Sequence, residues 1–583
     1  MMAILLMIMA IGLPWLGALF VWWIGDKHRE VQHLLAIGFS VGAGLASLSL
    51  VFFTTDQVVF RISFGGVFGD FTLIPDGLGV CLTIIATVIG SLAVIFSVDY
   101  MHSEAQLGRY YALMLFFIGA MAGLVLSGSI LFMFFFWEIT AFCSYALISF
   151  HNDDPRAVAG GIKALIITQL GGIGLLAGGI IAYTHLGDYE INTLLAGAGT
   201  LPTGVLSLIA FGYLAAAIAK SAQVPLHTWL PDAMEAPTPV SALIHAATMV
   251  NAGVYLIVRF YPAFMDVPGW GLCVVIVGLL SGLLGAIMAL VANDLKRALA
   301  YSTISQVGYM FYAVGVGGIF ASQFHLASHA VFKGLLFLCA GAVIHAVGTR
   351  DMRAMGGLGQ VMPFVRNTFI IGSLALAGLP IANGFFSKEL VLESGLAYGP
   401  LWAYLGMLIG AGLTATYTFR MVSMVFYGKS RPAEMVHDAL PAMRFSLGLL
   451  AVGVMTSWLL AGPLSQLLAE SLPFHKVDAE STVEIVFKII ASPLSWFTVS
   501  VILLGILAWE CRRSLSQLTS RLDPITRFAK QGMGFEWINQ RVIAGVLNVA
   551  SDLAITQTGL LNWNLVGIVG GLVALLILLI LGT

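Results

Sequence analysis

The sequence predicts an all-α polytopic membrane protein of about 16 transmembrane helices, with two inverted five-helix repeats that each contain a broken helix. Three observations carry this. Composition is the first: 59% of the 583 residues are hydrophobic, only 10% are charged, and mean hydropathy is +0.96. Soluble domains carry roughly 25% charged residues, so a soluble chain of this length could not cover its surface. The second is the recurrence of apolar runs near the roughly 20 residues that a membrane helix needs, with none of the short alternating segments of an outer-membrane barrel. The third is a pair of proline-bearing interruptions within apolar stretches, one in 217–250 and one in 369–396.

Taken in order, the runs place spans near 3–24, 31–53, 76–98, 109–128, 129–150, 160–183, 202–222, 239–262, 268–292, 297–317, 323–346, 366–396, 400–428, 444–467, 490–511 and 562–582. The first lies in "MMAILLMIMAIGLPWLGALFVWWIGDKHRE", with no basic stretch ahead of it, and reads as a membrane helix rather than a cleaved signal. Residues 1–108 then hold three N-terminal helices, 109–262 the first repeat, 268–428 the second, and 429–583 the C-terminal helices with a connector at 512–561. In that connector "GFEWINQRVIAGVLNVASDLA" carries Phe535, Ile538, Val542, Val546 and Leu547 at helical spacing. It predicts a short amphipathic helix for an interface or a partner.

A net charge of −2 makes nucleic acid an unsuitable partner. The five cysteines (Cys81, Cys143, Cys273, Cys339, Cys511) are scattered and form no CxxC, which argues against a zinc, iron–sulfur or disulfide framework. Loop cations assign the sides of the membrane. Lys27, Arg29, Arg109, Arg156, Lys296, Arg297, Arg350, Arg353, Arg366, Lys429, Arg431, Arg444, Arg512, Arg513, Arg521, Arg527, Lys530 and Arg541 fall on one side. Only Arg61, Arg259, Lys476 and Lys488 fall on the other. The excess puts the "DKHRE" loop in the cytoplasm, or an equivalent compartment, and both termini on the non-cytoplasmic side of a cytoplasmic (inner) membrane.

Lys163, Lys220, Lys333, Lys388 and Arg420 are left with no loop to occupy. Lys163 and Arg420 lie near helix ends and can snorkel. The other three need another account, because a lysine at a helix centre costs about 3 kcal/mol on insertion scales. Lys220 and Lys388 sit beside the two interruptions: Pro225, Pro231, Pro237 and Pro239 follow the first, and Pro380 and Gly384 precede the second. Proline removes a helical hydrogen bond, and in lipid such a break persists only where protein or a wet cavity satisfies the backbone. Paired breaks in matching halves mark ion sites near the membrane midplane.

Several residues then compete between plain and functional readings. Glu138 in "FMFFFWEITAFCSY" is either an interfacial or capping glutamate or a working acid; its apolar flanks favour the latter. Lys220 either bonds carbonyls freed by Pro225 or loads and releases a proton, its affinity set by burial against a nearby carboxylate. An arginine, always charged, could not do that. His325, His329 and Lys333 recur at i, i+4 and i+8 on one helix face, spanning about 12 Å of axis, and read as a relay. A metal site is the rival, weakened because no acid or cysteine shares that face. His245 alone is open between a satisfied core histidine and a bridge from Lys220 to the stripe. Lys163 relays or merely snorkels, and His345 is structural or an intake group. The run "GGIGLLAGG" at 171–179 reads as helix packing. No Walker motif, catalytic triad or dinucleotide fingerprint occurs, so no cofactor, metal or catalytic redox site is expected on this chain.

The stretches "WEITAFCSYALISF", "AKSAQVPLHTWLPDAMEAPTPVSALIHAATMVNAGVYLI", "LKRALAYSTISQVGYM" and "SHAVFKGLLFLCAGAVIHAV" closely resemble one family, the proton-translocating, antiporter-like membrane subunits. That family spans the largest membrane-arm subunits of respiratory complex I, energy-converting membrane hydrogenases and Mrp-type sodium/proton antiporters. The resemblance is dense over residues 60–430 and looser elsewhere. It implies two linked half-channels, with Glu138 as the fifth-helix glutamate and Lys220 as the seventh-helix lysine it modulates. It makes His245, His325, His329 and Lys333 the central polar axis and Lys388 the exit-side lysine of the twelfth helix. Its partners would be other membrane subunits of one complex, including homologous antiporter-like subunits, within the lipid bilayer. The cargo would be protons, with sodium as the open alternative.

Three departures narrow the likeness. Complex I's subunit carries an arginine and an aspartate early in its sixth helix, where "LIITQLGG" here has Gln169 and Gly172, closer to the Mrp and hydrogenase branch. The connector 512–561 would reach only about 75 Å if wholly helical, and Pro524, Gly532, Gly534 and Gly559 interrupt it, which leaves no room for that subunit's long lateral helix. The tenth span, 297–317, has no acid to match Glu138. The expected function is proton translocation coupled to redox chemistry on partner subunits of an NADH-quinone oxidoreductase-like or hydrogenase-like complex. The alternatives are a subunit of an Mrp-type sodium/proton antiporter and an ion-coupled subunit of an inorganic-carbon uptake complex.

Overall fold

Long apolar helices dominate because only a helix satisfies every backbone group within its own segment in lipid. A computed structural model describes residues 1–54, 60–428, 436–514, 523–530 and 532–556. It opens with α1 (Met2–Ile24) and α2 (Arg29–Leu50), which pack together. A short antiparallel hairpin follows, β1 (Phe60–Ser63) and β2 (Asp70–Leu73), with Phe60 opposite Leu73. The third span is α3 (Gly77–Ile84), a π turn at Ile85–Ile89, and α4 (Gly90–Tyr100).

Two runs of similar element order come next. The first is α5 (Leu107–Leu126), α6 (Ile130–Ile148), α7 (Pro155–Leu186), the short α8 (Ile191–Gly197), and α9 (Thr203–Lys220), which stops at a break. Beyond it come α10 (Trp229–Asp232), α11 (Thr238–Ala242), a π turn at Leu243–Ala247, α12 (Met249–Arg259) and the short α13 (Tyr261–Phe264). The second run is α14 (Trp270–Val291), α15 (Leu295–Gly315), α16 (Ile319–Val347), the interrupted pair α17 (Pro363–Ala377) and α18 (Asn383–Tyr398), and α19 (Leu401–Phe426). Then come α20 (Pro441–Thr456), α21 (Ala461–Ser471), α22 (Thr482–Ala491), α23 (Pro493–Glu510) and α24 (Asp523–Lys530). Residues 1–532 form one unit. In the second unit lies α25 (Phe535–Thr556), a helix of 22 residues over the stretch read as a short amphipathic connector.

Aspartates set where several helices begin, by accepting free first-turn amides. Asp76 accepts from Gly79 N, Asp154 from Arg156 N and Asp294 from Arg297 N. α16 is the central post. It packs against α4, α11, α15, α17, α18 and α20, and most of its 29 residues are buried. Glycines let backbones meet: a Cβ at Gly174 would fall 2.3 Å from the Gly212 carbonyl oxygen, and one at Gly308 would fall 2.6 Å from that of Gly278. The run 171–179 is therefore a packing surface between α7 and α9, as read.

The all-α membrane class stands, but the count of sixteen spans does not emerge from length and composition. Twelve of the described helices are long and apolar enough to cross a membrane. α15 and α19 are long enough yet bury several polar residues, Ser302, Thr303, Ser305 and Gln306 in the former and Thr414, Thr418 and Arg420 in the latter. Span 366–396 divides into α17 and α18, and 562–582 lies outside the described residues. Three cations also stand elsewhere than expected. Arg259 and Lys296, read as loop residues, are 6% and 3% exposed, and Arg420, read as snorkelling, is 7% exposed. Arg259 forms a bidentate pair with Asp76, one arm at 2.9 Å. Lys296 donates to the Ala236 carbonyl at 2.5 Å, and Arg420 to the Ala292 carbonyl at 2.5 Å and to Asn293 Oδ1 at 2.7 Å. A carboxylate or an open helix-end carbonyl holds each one inside.

Candidate functional site

The site begins where α9 stops. Gln223 N bonds back to the Ile218 carbonyl at 2.9 Å, and Trp229, beyond the break, donates its indole N–H to the Ala219 carbonyl at 2.9 Å. These contacts close the helix end around Lys220, which is fully buried. Its Nζ donates to the Trp137 carbonyl at 2.8 Å and lies 4.9 Å from the centre of that indole. Glu138 is the next residue of α6, and its charge couples electrostatically to Lys220. Gln169 lies near its carboxylate, and Oε1 is buried with no regular hydrogen bond among the described residues. Gly172 makes room for it: a Cβ there would fall 2.8 Å from Oε1. The two positions that depart from complex I thus form the bed of the glutamate.

His245 sits in the π turn of Leu243–Ala247, where Thr248 Oγ1 donates to the Leu243 carbonyl at 2.6 Å and Asn251 Nδ2 to that of Ala246 at 2.9 Å. Turns of this kind gather at functional positions. The ring lies 6.1 Å from Trp229 and 6.2 Å from Phe337 of α16. His245 therefore packs between Trp229, beyond the first break, and Phe337 of α16.

On α16, His325, His329 and Lys333 are all fully buried. Lys333 donates to the Leu299 carbonyl at 3.2 Å and, closely, to Ser302 Oγ, both on α15. His325 Nδ1 meets Ser387 Oγ at 3.0 Å. Among the described residues, both nitrogens of His245 and of His329, and Nε2 of His325, have no regular hydrogen-bond partner. Buried polar atoms are seldom left so. Gln306, one turn beyond Ser302, has both amide atoms in the same condition.

Lys388 follows the second break. Its Nζ donates to the Leu376 carbonyl in the last turn of α17, at 2.8 Å, and lies 5.8 Å from the Tyr309 ring. His325 lies 6.3 Å from the same ring. Lys388 thus sits against an end carbonyl of α17, where the helix dipole favours a cation, whereas Lys220, beside the first break, bonds a carbonyl in the middle of α6. Lys163 does not snorkel: its Nζ pairs with Asp232 at 2.8 Å. His345 packs at the end of α16, 5.6 Å from Tyr100 and 6.4 Å from His437.

The sequence reading missed Glu389. It is 3% exposed, directly after Lys388, and lies near Thr498 and Ser495 of α23. An acid beside a lysine in an apolar helix was the available signal. It also missed the buried His227 beside Lys163. Of these residues the structure sets Glu138 near Lys220 and places His325 and Lys388 about one ring, that of Tyr309, while His325, His329 and Lys333 share α16 and His245 packs on Phe337 of the same helix. Buried lysines, imidazoles and carboxyls in series can exchange protons, since each has two protonation states.

A profile described as "NADH:quinone oxidoreductase/Mrp antiporter, TM" matches residues 127–414, and one described as "NADH-Ubiquinone oxidoreductase (complex I), chain 5 N-terminus" matches 62–111. NAD(P)H-quinone oxidoreductase chain 5 of Synechocystis sp. is 39% identical over 70% of this chain and 63% of its own length. Na(+)/H(+) antiporter subunit A1 of Staphylococcus haemolyticus is 39% identical over 69% of this chain and 54% of its own. The chain thus spans less than two thirds of these relatives. The Mrp complex from Dietzia sp. DQ12-45-1b aligns with a TM-score of 0.79 at 27% identity, over 100% of this chain and 63% of the matched one. The archaeal membrane-bound sulfane sulfur reductase shares the fold, with a TM-score of 0.71 at 24% identity over 82% of this chain and 99% of its own. On these matches, and on the motifs around Glu138, Lys220 and the α16 stripe, the chain belongs to the proton-translocating, antiporter-like family of membrane subunits common to NADH:quinone oxidoreductases and Mrp antiporters.

Proposed function

We propose that the chain moves protons as one subunit of a multi-subunit membrane complex, along Glu138, Lys220, His245, His329, Lys333, His325 and Lys388. Residues 109–262 and 268–428 supply the two half-channels, flanked by 1–108 and 429–583. The observation that carries this reading is the seat of Lys220, buried at a helix break and bonded to the residue before Glu138. When Glu138 approaches, it favours the charged lysine; when it withdraws, the lysine sheds its proton toward the α16 stripe. Redox chemistry on partner subunits drives these movements, and the cargo is the proton. Lysine and histidine are poor sodium ligands beside oxygen donors. The membrane is the cytoplasmic one, with both termini on its far side.

A second reading, sodium/proton exchange in an Mrp-type assembly, is favoured by Gln169 and Gly172 and by the match to the Dietzia complex over the whole chain. One purification separates the two. The intact complex, reconstituted into vesicles, acidifies one side when given its driver. Flavin and iron–sulfur absorbance in that complex supports the redox reading, and exchange driven by a sodium gradient in a colourless complex supports the other. A complex that moves no protons under either drive would refute both.

A further inference from the structure

The far half of the first broken helix, residues 229–236, is too short to hold its own place. α10 has four residues and is followed by a three-residue 3-10 turn, well under the length at which a helix is stable alone. Charged side chains tie it down, and most come from the second five-helix run. Asp232 bridges Lys163 of α7 at 2.8 Å and Arg297 of α15 at 3.2 Å. Glu235 pairs with Arg350 at 2.9 Å, and Arg350 also reaches Asp294 at 3.4 Å and the Met234 carbonyl at 3.0 Å. Lys296 holds the Ala236 carbonyl at 2.5 Å. The same segment carries Trp229, whose indole closes the carbonyl beside Lys220 and whose ring faces His245.

We propose that Asp232 is a positioning residue: its bridge from Lys163 to Arg297 is a latch between the two half-channels, and through Trp229 it sets the seats of Lys220 and His245. The proposal deepens the proton-translocation reading and rests on it. A shift at the start of α15 pulls on Arg297 and Lys296, moves segment 229–236, and so reaches Lys220 from the second run. Lys163, 8% exposed in its side chain, is the buried anchor, and Arg297, 42% exposed, is the outer arm.

The test uses the intact complex containing this chain, labelled with 5-fluorotryptophan, with the Trp229 resonance identified by its loss in Trp229→Phe. Asp232→Asn, Lys163→Met and Arg297→Gln should each shift or broaden that resonance and lower proton movement several-fold in vesicles. The effects of Lys163→Met and Asp232→Asn should not add, and Asp232→Glu should restore both readouts. Should Asp232→Asn fail to assemble, Arg297→Gln reads the same resonance from the exposed arm. An unmoved Trp229 signal in Arg297→Gln overturns the latch, and so does a moved signal with undiminished proton movement. A wild-type complex that moves no protons refutes the functional reading instead and leaves the resonance test standing.

Discussion

Lys220 donates to the carbonyl of Trp137, at 2.8 Å, and not to the carboxylate of the adjacent Glu138. The lysine is thereby fixed to the helix that carries its modulator, while the carboxylate keeps freedom to move. Glu138→Gln should leave assembly intact, because the amide matches the carboxylate in size and shape, yet should abolish most proton movement. Dye quenching in vesicles of the reconstituted complex measures it, and normal pumping would remove Glu138 from the mechanism.

Gly172→Ala tests the same seat by geometry. The added methyl would meet Glu138 Oε1 at 2.8 Å, inside contact distance, so the carboxylate must shift. Proton movement should fall several-fold at unchanged complex yield. The same substitution at Gly12, which has open space around it, should be silent.

Lys220→Arg separates charge from titration. Arginine keeps the positive charge but does not give up its proton. A complex carrying Lys220→Arg should therefore assemble and pump no better than one carrying Lys220→Met. Pumping that survives in the arginine variant would mean that Lys220 only holds a charge in place.

The buried pair of Asp76 and Arg259 is a stability element. Removing one member leaves an unpaired buried charge, at a cost of about 3–5 kcal/mol. Asp76→Ala also strips the cap from Gly79 N, bonded at 2.8 Å. The thermal midpoint in detergent should drop clearly, and further than for Asp70→Ala, whose partner Arg61 is 55% exposed in its side chain.

His475, in the loop after α21, donates Nε2–H to the Val258 carbonyl at 2.8 Å. Burial pushes its imidazole down from the usual 6.5 to about 4. The unfolded chain then takes up a proton near 6.5 that the folded chain refuses until about 4, so the loop's stability is full above 6.5 and drains away as pH falls between those values. His475→Gln should flatten the thermal midpoint across that window, and an unchanged slope would show that the histidine does not titrate on unfolding.

Much of the fold was legible because lipid is an exacting solvent. Apolar runs announced the helices, prolines announced both breaks, and a lysine such as Lys220, Lys333 or Lys388 stands out wherever it is surrounded by leucine and alanine. What stayed hidden depends on distant partners. Arg259 and Lys296 look like ordinary boundary cations until Asp76 and the Ala236 carbonyl arrive from elsewhere in the chain. Glu389 was masked by its neighbour, since one charge beside another reads as a single feature. The π turns left no trace, because an extra residue in a helix changes no residue type.

That extra residue has a consequence for tolerance. A π turn holds one residue more than an α turn, so Leu243–Ala247 takes it up within a single turn. The faces on either side are kept, and Tyr255 meets the Val125 carbonyl at 3.0 Å while Arg259 meets Asp76. A residue lost from the regular turns of α12 ahead of Tyr255 would instead swing both anchors by about 100°.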